Sequence, residues 1–87
     1  MNKKQLIDAI GMADYKKIIQ ILADMPEFQM EKNFLEKKDS QYELLIQEVI
    51  NSKQYASGKI LQDLKKIEQQ RSDAAISVLR AINKEGL

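Results

Sequence analysis

Apolar side chains return every three or four positions near the C-terminus, through Ile60, Leu64, Ile67, Ala75, Val78 and Ile82, with Arg71 standing in the same register. That is the repeat of one α-helix face. The ladder spans 22 residues in six steps, about 3.67 per step, nearer an eleven-residue repeat than a strict heptad. Gln69, Gln70, Arg71 and Ser72 dilute its apolar side midway. It therefore reads either as one helix from about 58 to 83, capped by Ser57, or as two, with Ser72 capping the second.

The same period predicts shorter helices upstream. Asn2 and Gln5 have capping-box spacing for a helix over about 3–10 carrying Leu6, Ile7 and Ile10, and Gly11 follows where a left-handed turn commonly ends a helix. Asp14 caps a second helix, about 15–25, with Ile18, Ile19, Leu22 and Met25 inward. Pro26 ends it and opens a third helix to about 38, where Phe28, Glu31 and Leu35 with Phe34 give a narrow apolar face. Ser40 and Glu43 form a capping box for a fourth, carrying Tyr42, Leu45, Ile46, Val49 and Ile50. Loss of the Ser40 cap should cost about 1 kcal/mol. No period-two alternation suggests a strand. The expectation is one all-α domain over residues 1–87, a compact antiparallel bundle of five or six helices with a long C-terminal helix.

Composition narrows the chemistry. The 87 residues are 44% apolar and 31% charged with three Gly and one Pro, a globular balance with little room for long loops. There is no His and no Cys. Those types most often carry acid/base, nucleophilic and metal chemistry, and no glycine-rich phosphate loop or nucleophile motif replaces them. The reading is therefore non-enzymatic, with no catalytic residue, cofactor or metal. Asp8 interrupts the first apolar segment, so no signal peptide develops, and no run approaches the roughly 18 to 20 apolar residues of a membrane span. A cytoplasmic chain without membrane contact is expected.

Net charge is only +1, but residues 27–52 carry 3 basic and 6 acidic groups and residues 53–87 carry 7 and 4. This polarity provides candidate contact residues: Lys65, Lys66 and Arg71 as a basic side, and Glu36, Asp39 and Glu43 as an acidic side, set to steer a protein partner. The basic third also raises nucleic acid as a lesser alternative, although Asp63, Glu68 and Asp73 interleave with its cations. Arg71 is the one charge on the ladder's apolar side. Either its stem packs while the guanidinium reaches water or a carboxylate, or it anchors an interface. The tyrosines Tyr15, Tyr42 and Tyr55, and Met12, Met25 and Met30, read as packing residues.

The run Asp14-Tyr15-Lys16-Lys17-Ile18-Ile19-Gln20-Ile21-Leu22 after a short Leu6-Ile7 helix, with Ser40-Gln41-Tyr42-Glu43-Leu44 and later Lys66-Ile67, resembles the effector-associated domains of bacteria. These are death-fold-like helical adaptor modules. The resemblance implies homotypic contact that joins a sensor to an effector in a bacterial defence or signalling system. The competing class is a small phage- or plasmid-type helical regulator that binds a host protein or nucleic acid.

Overall fold

A computed structural model describes residues 3–52 and 58–84. Among them are four α-helices and no strand: α1 (Lys3–Gly11), α2 (Tyr15–Leu22), α3 (Gln29–Ser52) and α4 (Gly58–Lys84), with one 3-10 turn at Pro26–Phe28. The count is therefore four helices rather than five or six. The body measures 48 × 20 × 19 Å, an elongated shape set by the two long helices.

The difference arises at Ser40. No cap forms there, because α3 runs unbroken through the residue. Residues 36–43, Glu-Lys-Lys-Asp-Ser-Gln-Tyr-Glu, contain neither Gly nor Pro, so nothing frees the backbone amides that a capping box would satisfy. Packing along α4 supports both halves of the helix. The ladder is likewise one helix, with Ile67, Arg71, Ala75, Val78 and Ile82 buried, and Ser72 caps nothing. The proposed caps Asn2 and Ser57 lie outside the described residues.

Between α1 and α2 the left-handed residue is Ala13, at φ 53°, rather than Gly11. The Asp14 amide donates to the Ala9 carbonyl at 2.9 Å and the Ala13 amide to that of Ile10 at 3.1 Å. This is the paired closure of a Schellman turn, with Ala in the position where Gly is usual. Asp14 then caps α2 as its position predicts, its carboxylate accepting from the Lys17 amide at 3.3 Å. α2 stops at Leu22, three residues short of expectation. Met25 is extended, as a residue before Pro tends to be. The Gln29 side-chain amide closes the end of α2 by donating to the Leu22 and Met25 carbonyls at 3.1 and 3.3 Å.

The core lies at one end. Leu6 and Ala9 of α1, Ile18 and Leu22 of α2, Met25, Phe28 and Leu35, and Ala75, Val78 and Ile82 of α4 form one buried cluster. α1 and α2 are only 9 and 8 residues long, about 12 to 14 Å, whereas α3 and α4 run about 36 and 40 Å. The short pair therefore covers only the base of the long antiparallel pair. Beyond it, α3 and α4 project as a two-helix arm.

Candidate interaction surface

Arg71 settles in a cage rather than at a surface. It is 8% exposed, and its guanidinium lies 4.3 Å from the Tyr15 ring centroid and 4.4 Å from that of Tyr42. Its Nη1 donates to Asp39 Oδ1 at 3.3 Å, while the buried Nε has no protein acceptor. Each ring offers its π face to a cation already shielded from water, the setting in which such contacts are strongest. Lys16 of α2 completes the cluster, its ammonium donating to Glu43 at 2.8 Å and to Asp39 at 3.4 Å. The bond to Glu43, then that to Asp39, raises the Lys16 pKa above its ordinary value of 10.5. The Tyr42 hydroxyl donates to Glu68 at 3.3 Å. Three of the six expected contact residues, Arg71, Asp39 and Glu43, thus belong to one network that ties α2, α3 and α4 together.

The other three are exposed, and Glu36 lines one hollow with Asp39 and Glu43. Glu36 pairs with Lys32 at 2.7 Å along α3. Lys65 borders a hollow with Asp14, Tyr15, Asp39 and Arg71, on the side of the hairpin that carries α2. Lys66 borders a groove with a different set of neighbours, Lys38, Gln41, Leu44, Leu45, Asp63, Ile67 and Gln70. Glu36, Asp39 and Glu43 thus share one hollow against α2, whereas Lys65 and Lys66 border different hollows. Tyr15 and Tyr42 are half-buried and Met25 is buried, as packing residues should be, but Met12 and Met30 are 79% and 83% exposed. Tyr55 lies outside the described residues.

The arm shows what the pattern of charges does not. Past Leu35 no described residue of α3 is buried, and none of α4 is buried before Ile67. That stretch nevertheless holds Leu44, Leu45, Ile46 and Ile50 on one helix and Leu61 and Leu64 on the other. Leu44, Ile50 and Leu61 are 70%, 59% and 49% exposed. A further stripe runs down the outside of α3 through Met30, Phe34, Lys37, Gln41, Leu44 and Glu48, in alternating steps of four and three. This is coiled-coil seam spacing. Its signal was present in the sequence but hidden, because three of its six positions are polar. Lys38 lies against the stripe, its ammonium 5.5 Å from the Phe34 ring centroid and donating to the Gln41 side-chain carbonyl at 3.3 Å.

Among the described residues no group of His, Cys, Asp or Glu is placed to hold a metal ion, and no helix is long and apolar enough to cross a membrane. No family model matches the chain, and neither a curated protein nor a solved structure matches it.

Proposed function

We propose that the chain is a non-enzymatic protein-interaction module that works through its α3–α4 arm. It joins like modules, as the resemblance to bacterial effector-associated domains implies, and so acts as a cytoplasmic adaptor between sensor and effector. The observation that carries this reading is the arm itself. Leu44, Leu45, Ile46, Ile50, Leu61 and Leu64 lie past the buried core on the two long helices, none of them buried and three of them exposed. Scattered surface Leu and Ile are ordinary, whereas aliphatics concentrated on a projecting element mark a surface that another element covers. The Arg71 network keeps α2, α3 and α4 in fixed relation, which holds the arm at a set angle to its base.

Sedimentation velocity across roughly 5 to 500 μM, at low and high salt, tests this, since contacts steered by exposed charge weaken as the screening length shrinks. Association that grows with concentration and fades with salt is expected. A monomer under every condition would overturn the homotypic reading and turn attention to the regulator class, with its foreign protein or nucleic-acid partner.

A further inference from the structure

The outer stripe of α3 carries its own complement. Reading from Lys37 through Gln41 and Leu44 to Glu48, it runs cation, amide, aliphatic, anion. Lys37 and Glu48 are exposed, and neither makes an ion pair among the described residues. The four positions are placed evenly about a midpoint between residues 42 and 43. An identical helix laid antiparallel across that midpoint therefore sets Lys37 against Glu48 twice and Gln41 against Leu44 twice. A parallel copy would instead set Lys37 on Lys37 and Glu48 on Glu48.

The surface beside the stripe fits the same arrangement. Leu44 is a 70% exposed knob, and next to it lies the groove lined by Lys38, Gln41, Leu45, Lys66 and Ile67. Knob and groove on one face are what a two-fold contact requires, because each copy must offer both halves of the match. α2 meets α3 through Gln29, Leu35, Asp39 and Glu43, none of which belongs to this stripe.

We infer that the occupant of this surface is a second copy of the chain, with the two α3 helices packed antiparallel across the midpoint of residues 42 and 43. This rests on the homotypic reading above and specifies its contact. The stripe from Lys37 to Glu48 is about 16 Å long. At a helix width of about 10 Å, a patch of that length covers far less than the roughly 1,000 Å² of a stable interface, so the dimer is weak and reversible. Weak pairing suits a module that responds to local concentration.

The test is a charge swap read by sedimentation equilibrium at low salt, with helicity of each variant checked by circular dichroism. Both sites are exposed, so the fold should be unaffected. K37E turns two attractions into two repulsions, as does E48K, and each should weaken self-association about tenfold or more. The double variant K37E/E48K should recover wild-type association. An equimolar mixture of the two single variants should associate as well as the wild type, because both of its cross-pairs are then complementary. Single variants that dimerise like the wild type, or a double variant that stays weak, would overturn the α3 contact while leaving a homotypic module in place. A wild-type chain that never associates would overturn both.

Discussion

At Arg71 a single side chain does the work of a small core. Removing it leaves two tyrosine faces uncovered and the half-buried Asp39 with only Lys16 for a counter-charge. R71A should therefore lower unfolding free energy in urea by about 2 to 4 kcal/mol. R71K keeps the charge but not the planar fork that fits between two rings, and should recover less than half of that loss. A cost under about 1 kcal/mol for R71A would contradict the cage. Ala13 is the opposite case. Its φ of 53° carries the left-handed penalty of a residue with a Cβ, so A13G should raise unfolding free energy by about 1 kcal/mol in the same titration. A fall in stability would mean that this turn is not left-handed at residue 13. Of these two features, half was legible in the sequence. The period placed Arg71 on the apolar face of its helix, and one of its two possible roles included reaching a carboxylate. Which carboxylate, and the flanking tyrosines, depend on α2 and α3 meeting at that level, which no local pattern states.

At the scale of elements, the apolar period located helices well and their ends less well. Asp14 capped α2 as expected, and the ladder residues from Ile67 to Ile82 are buried. Ser40 misled, because a capping box is only an opportunity. It forms where a helix starts, on non-helical backbone, and a stretch without Gly or Pro that packs along a partner stays helical through such a residue. The two views give opposite results for one substitution. A true cap would make S40A cost about 1 kcal/mol, whereas an exposed mid-helix serine makes it neutral or stabilising by up to about 0.5 kcal/mol. Thermal or urea unfolding of S40A decides between them, and a clear loss would argue for a break in α3 at that point. The outer stripe was missed for a related reason. A seam with Lys37, Gln41 and Glu48 among its six positions does not stand out by hydrophobicity, and becomes visible only once α3 is known to be one helix.

For the whole molecule, the consequence of merging the third and fourth expected helices is a change of shape. Two long helices and two short ones cannot close into an even bundle, so the base acquires the core and the arm is left bare. Glu36, Asp39 and Glu43 do share one face of α3, and Asp39, Glu43 and Arg71 also form the joint between α2, α3 and α4. What remains for a partner is the arm and the outside of α3. Antiparallel pairing across residues 42 and 43 fixes an intermolecular distance that can be measured directly. The chain has no cysteine, so N33C provides one spin-label site per copy, at an exposed position near the base end of α3. In the antiparallel dimer, residue 33 of one copy lies level with residue 52 of the other. Dipolar spectroscopy on a concentrated sample should then give a single distance of about 30 Å between the labelled backbone positions, from the helical rise and an ordinary interhelical spacing. A distance near 10 Å would mean parallel pairing, and no intermolecular coupling at concentrations where the wild type should associate would mean that α3 does not pair; either result contradicts the account.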